Sequence, residues 1–168
     1  TLKAEFNSIL DDFSKAAELL PDQVMGNKLK PSRPAALAAM ANVYLVMQQY
    51  DSAMEKSIQA LAVSDSLLNY NDLDGAQKAP IALFNKEVIW QADLAVNATL
   101  STIYSFVDTT FYNQFNNNDL RREIYFDTSG GIVRYKGHYN GQYNGTAAYF
   151  CGFANDELYL IKAEAAAR

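Results

Sequence analysis

Residues 32 to 64 constrain the fold more than any other part of the chain. Pro34 stands where a first helical residue belongs after a Ser32 cap, and from Ala35 to Gln49 the apolar Leu37, Met40, Ala41, Tyr44 and Leu45 recur three and four apart, the period of one helix face. Asp51 is placed to cap a second helix, with Met54, Ile58, Leu61 and Ala62 expected inward and Ser52, Glu55, Lys56 and Gln59 outward. Helices joined by so short a turn lie antiparallel. The expected seam runs through Leu37, Ala41, Tyr44, Ala53, Ile58 and Ala60.

That hairpin has the signature of a tetratricopeptide repeat, in which small residues let paired helices approach closely over a period of about 34 residues. The end of an earlier repeat is visible in Phe13, Ala16 and Pro21. Ala16 to Ala60 spans 44 residues, one period of about 34 plus about 10 inserted after Pro21. The departures are Gln48 where Gly is usual, Ser57 where an aromatic is usual, and the lack of a closing Pro. Upstream, Leu2, Phe6, Ile9, Leu10, Phe13, Ala16, Ala17 and Leu20 share a face, and Pro21 stops that helix.

After Leu68 the pattern weakens. Asn69 to Gly75 reads as loop, Glu87 to Gln91 as a brief extended segment, Asp119 to Phe126 as a turn and short extended run, and Ile132 to Tyr149 as mostly loop. Asn155 or Asp156 is expected to cap a last helix with Leu158, Ile161 and Ala165 on one face. The expected helices are 2–20, 34–48, 51–64, 108–117 and 156–168, with no sheet larger than a short hairpin. The fold class is mainly α: a tetratricopeptide-like helical repeat scaffold with long irregular loop excursions. Its expected division is 1–68 for the helices, 69–155 for an aromatic-rich excursion and 156–168 for a further helix.

Composition narrows the partners. Of 168 residues, 49% are hydrophobic and 20% charged, enough apolar surface for one core. Fourteen basic against nineteen acidic residues, with no Lys/Arg stripe, argue against nucleic acid. The single Cys151 allows no internal disulfide and no thiolate cluster, and no stretch approaches the roughly 20 apolar residues of a membrane span. A start without Met and an ending within a helical pattern are what a piece of a longer chain would show.

Six islands then occur in fixed order: Ser32-Arg33-Pro34-Ala35-Ala36-Leu37 with Ala39, Val43-Tyr44-Leu45, Tyr50 and Ala53; Leu68-Asn69-Tyr70; Glu87-Val88-Ile89-Trp90; Asp119-Leu120-Arg121-Arg122; Tyr135-Lys136; and Glu157-Leu158-Tyr159-Leu160-Ile161-Lys162-Ala163-Glu164-Ala165-Ala166-Ala167-Arg168. Together they resemble the SusD/RagB family of Bacteroidetes nutrient-binding outer-membrane lipoproteins, the last island most specifically, with Lys162 where Arg is commoner. The resemblance implies a middle portion of a non-catalytic, outward-facing outer-membrane lipoprotein that captures oligosaccharides for a SusC-like TonB-dependent transporter. Its lipid anchor would lie outside this sequence. Some relatives bind peptides, so capture by a RagB-like importer component stays open, as does a tetratricopeptide scaffold for a protein partner.

Sugars present apolar C–H faces beside dense hydroxyls, so a glycan site wants exposed aromatic rings next to Asn, Asp, Gln or Arg. The candidate ligand contacts are Asp93, Asn97, Tyr104 and Phe106, where the resemblance suggests that a ligand-facing excursion begins, with Tyr139 and Tyr143 on a Gly- and Asn-rich stretch. Burial is less expected for those two tyrosines than for Phe111, Phe115 and Phe126, which are read as core under loops, and Trp90 is read as core before platform. Asp119-Leu120-Arg121-Arg122 is either an anion or sugar clamp or, better, a buried Asp–Arg pair fastening a loop. Nothing marks Asp119 and Glu123 as a glycosidase pair converging on substrate, and His138 has no partner at metal-ligand spacing. No cofactor is expected.

Overall fold

The computed structural model describes residues 1–22, 27–95, 105–141 and 148–168. The chain divides into two compact units: Thr1–Leu67 with Lys86–Ala92 and Gly152–Arg168, and Leu68–Asn85 with Asp93–Cys151.

The first unit is helical. Helices α1 (Leu2–Leu19), α2 (Arg33–Val46) and α3 (Tyr50–Leu61) come from the N-terminal part, and α6 (Asn155–Ala167) returns at the end. Helix α2 contacts α1, α3 and α6, and every residue from Pro34 to Ala41 is buried. Five of those eight are alanines, so helices close on it from several sides without large side chains between them. Ala35, Leu37, Ala38 and Ala41 meet Ala53 and Ala60 of α3, Leu158 and Ile161 of α6 and Ile89 in one core, with Tyr44 and Leu45 packed against it.

The seam on α3 differs from the expected one. Ala53, Ser57 and Ala60 are its buried residues, while Ile58 is 45% exposed. The aromatic usual in the repeat is replaced by a fully buried serine, whose hydroxyl donates to the Ala53 carbonyl at 2.8 Å. That intrahelical bond satisfies the hydroxyl without a cross-helix partner and turns the narrow face of α3 toward its neighbours. The caps also differ. Ser32 holds the cap position of α2 without a side-chain bond, Gln49 rather than Asp51 precedes α3, and Ala154 precedes α6. Asp51, and Asp156 with Glu157, instead lie in first turns, where a carboxylate faces the positive end of the helix dipole. Gln48, the residue replacing the usual Gly, has φ 60, the left-handed conformation that ends α2.

Strands β1 (Val88–Trp90) and β6 (Phe153–Ala154) pair antiparallel with a register shift between Val88 and Trp90. The 27–30 loop clasps β1: Lys28 Nζ donates to the Val88 carbonyl at 2.7 Å, the Gln91 N–H to the Lys28 carbonyl at 2.8 Å, and the Trp90 indole to the Leu29 carbonyl at 3.2 Å. Trp90 is therefore half-buried, packed on the core and 5.9 Å from the Phe153 ring. Asn155, fully buried, donates to Ser64 Oγ and the Ser66 carbonyl, tying the segment after α3 to the start of α6.

Among its described residues the second unit contains little regular structure. Strands β2 (Asp93–Ala95) and β5 (Ala148–Phe150) pair antiparallel, as do β3 (Phe126–Asp127) and β4 (Arg134–Tyr135). The expected helix over 108–117 is only one turn, α4 (Thr109–Tyr112), capped by Asp108. Beyond it the asparagine-rich 113–118 stretch turns, with the Asn118 N–H bonded to Asn116 Oδ1 at 3.2 Å, because Asn side chains compete for backbone groups. In place of the expected turn and extended run lies α5 (Leu120–Tyr125), whose start Asp119 caps by accepting from the Arg121 N–H. Ile81, Ile124, Phe126 and Val133 are buried here. Phe126 centres an aromatic cluster, 5.2 to 5.3 Å from the Phe115 and Tyr112 rings.

Candidate ligand-binding site

An open cleft of about 740 Å³ lies within the second unit. One wall is the backbone at Gly75 and Ala76. The side chain of Lys136, at the end of β4, holds that wall by donating from Nζ to the carbonyls of Gly75 and Gln77. Gly75 is needed there, since a Cβ would lie 2.9 Å from Glu123 Cβ. Burial pushes the Lys136 ammonium below the usual lysine range, while the nearby carboxylates of Asp127, Glu123 and Asp74 act in the opposite direction.

Tyr112, Asn117 and Arg122 also line the cleft. The Arg122 guanidinium sits over the Tyr112 ring, 4.3 Å from its centroid, and its Nη1 donates to the Phe115 carbonyl at 2.9 Å and to Asn117 Oδ1 at 2.7 Å. A stacked, twice-anchored guanidinium is held in one orientation before any ligand arrives. Phe126 and Asp127 line the cleft with Thr128 and Ser129, and the Ser129 N–H donates to Asp127 Oδ1. Aromatic surface, amide, hydroxyls and an oriented guanidinium thus share one concave surface, in which a few placed polar groups can fix a ligand's orientation.

The described residues among those singled out from the sequence lie elsewhere. Asp93 is exposed at the start of β2. Phe106 is 56% exposed, with the Arg134 guanidinium 5.3 Å from its centroid. Tyr139 corrects the expectation of a displayed ring: it is only 9% exposed and packs on Phe150, centroids 5.3 Å apart, because residues 136–140 are buried within the unit instead of standing out from it. None of these three lines the cleft. Asn97, Tyr104 and Tyr143 lie outside the described residues.

Two further expectations change. Phe126 is buried and Phe115 half-buried, but Phe111 is 50% exposed. The Asp119–Arg121 pair is a local contact at 2.6 Å with the arginine largely exposed, and the hydrogen bond from Arg121 holds the Asp119 carboxyl below its usual range. Arg122 does the loop-fastening instead, and Asp119, committed to the α5 cap and to Arg121, does not converge with Glu123 on the cleft. His138 is buried between the Tyr135 and Tyr149 rings, centroids 4.8 and 5.1 Å away. Its Nε2 has no hydrogen-bond partner among the described residues. Burial pushes its imidazole below the usual value of 6.5, against the hydrogen bond to the Tyr135 backbone. The cleft residues were present in the sequence as the Arg122 and Lys136 islands and the Tyr112 to Asn117 run, but only the fold shows that they converge.

No family model and no curated protein matches the sequence. Solved structures do. A SusD-like carbohydrate binding protein from Bacteroides vulgatus is 24% identical with a TM-score of 0.68, covering 94% of this chain and 38% of that one. A putative sugar binding protein from the same organism is 21% identical with a TM-score of 0.74, covering 96% and 40%. A SusD superfamily protein, also from Bacteroides vulgatus, is 18% identical with a TM-score of 0.68, covering 95% and 41%. The chain thus spans about two fifths of the length of these proteins, and over almost all of its own length it has the SusD-like fold, a mainly α, tetratricopeptide-like scaffold carrying irregular excursions.

Proposed function

We propose that this chain binds oligosaccharides without catalysis, as part of a surface lipoprotein that passes them to a SusC-like TonB-dependent transporter in the outer membrane. The observation that carries the reading is the cleft beside Arg122, in which Tyr112, Asn117, Thr128 and Ser129 supply the apolar face and hydrogen-bonding groups that a sugar requires. Two proteins sharing the fold are named for carbohydrate or sugar binding, which favours a glycan over a peptide. Asp93, Phe106 and Tyr139 remain proposed as contributors outside the cleft, Tyr139 through packing and not as an open platform, and Asn97, Tyr104 and Tyr143 remain proposed ligand contacts.

A glycan array probed with the full chain tests the proposal, with chromatography of the recovered saccharide as a check on catalysis. Saturable binding that leaves the saccharide uncut is expected. Peptide binding with no saccharide binding would favour a peptide importer, and chain cleavage would overturn the non-catalytic reading.

A further inference from the structure

The charges in the cleft allow a narrower statement, resting on the glycan reading above. Arg122 spends Nη1 on the Phe115 carbonyl and Asn117 Oδ1, and no acceptor for its Nε and Nη2 is found among the described residues. That edge is a planar donor fork, fixed by the Tyr112 ring beneath it. Such a fork suits either a carboxylate or a pair of neighbouring hydroxyls. The surroundings separate the two. Glu123 and Asp127 line the same cleft, with Asp74 also close enough to act on Lys136. Among the described residues, the one other cation lining the cleft, Lys136, directs its ammonium to the Gly75 and Gln77 carbonyls. Three carboxylates therefore act on Lys136, two of them lining the cleft; they outnumber the two lining cations, so an anionic ligand would meet net repulsion at a distance where salt screens only partly.

We infer that the cleft selects neutral saccharides, with the Nε/Nη2 edge of Arg122 reading a vicinal diol and the Glu123 and Asp127 carboxylates rejecting uronic acids. Arg122 is the ligand contact in this assignment, and the two carboxylates set specificity.

Calorimetric titration of the full chain with maltohexaose, cellohexaose, xylohexaose, mannohexaose and hexagalacturonate at low ionic strength tests this. At least one neutral hexasaccharide is expected to bind about tenfold or more tighter than hexagalacturonate. Glu123→Gln should narrow that ratio. Glu18→Gln, which makes the same change of net charge on an exposed residue of α1, should leave it. Arg122→Lys, which keeps the charge and loses the fork, should weaken the neutral ligand about tenfold.

Hexagalacturonate binding as tightly as the neutral ligands, or equal effects of the Glu123 and Glu18 changes, would overturn the charge selection and leave glycan capture standing. Neutral binding within twofold of the parent in Arg122→Lys would remove Arg122 from the site. Failure of every hexasaccharide to bind would bring down the glycan reading itself.

Discussion

The two units reach stability by different routes. In the helical unit, alanines at Ala35, Ala38, Ala41, Ala53 and Ala60 let backbones approach and bury apolar surface over a continuous seam. In the second unit, strands of two or three residues and helices of four and six cannot form such a seam. Rings around Phe126, long-range polar bonds from Lys136 and shorter-range ones from Arg122 fasten its loops instead. Close packing tolerates little added volume, whereas a loop-built unit presents irregular concave surface lined by polar groups. The cleft lies in the second kind of structure.

The largest test of that contrast is Tyr139→Ala. Because the ring is buried against Phe150, its removal should cost about 3 kcal/mol, read as a lowered denaturation midpoint; a loss under about 0.5 kcal/mol would mean that the ring is dispensable to the unit. Ala53→Leu probes the other unit. Ala53 is fully buried at the α2–α3 seam, so the added volume should cost about 1 to 3 kcal/mol, and an unchanged midpoint would show that the seam has room.

His138 distinguishes the units by pH. Its folded pKa lies below its unfolded value of about 6.5, so between those two values the unfolded chain binds more protons than the native one. Stability is therefore complete above about 6.5 and is lost as pH falls through that window toward the folded value. Burial pushes the Glu157 carboxyl upward in the helical unit, and acidification has the opposite sign there. Melting curves from about pH 8 to 5.5 should show a smaller decline for His138→Gln than for the parent chain; identical slopes would exclude His138 as the cause.

The smallest expected effect is at Gln48, whose positive φ strains a residue with a Cβ. Gln48→Gly should raise stability by about 0.5 to 1 kcal/mol, the relief of that strain outweighing the extra chain entropy. A lowered midpoint would show that the Gln48 side chain contributes more than its backbone costs.

How much was legible varied with the range of the interaction. The spacings around Leu37, Met40 and Ala41 and around Leu158, Ile161 and Ala165 sufficed for α2 and α6, because helix periodicity is written into neighbouring residues. One-residue errors still mattered. Ile58 is expected inward and lies exposed, while Ser57, noted only as a departure from the repeat, is buried, because small size and not apolarity decides which face of α3 packs. In the second unit, Asp119 capping of α5 was visible as a residue type but was outweighed by the short apolar run behind it. The candidate contacts were chosen for exposed-looking composition, and Tyr139 shows that glycines beside a ring do not keep it in solvent.

By itself, then, the sequence determined the helical scaffold, its small-residue packing and the ordered islands that resemble SusD-like proteins. Only the tertiary structure decided the rest: the pairing of Val88–Trp90 with Phe153–Ala154, the covering of Tyr139, and the meeting of Gly75, Arg122 and Lys136 around one cleft. The reason is physical. Helical periodicity acts over a single turn of chain, whereas a cleft and a strand register depend on which distant segments share space, and many sequences with the same local pattern would pair them differently.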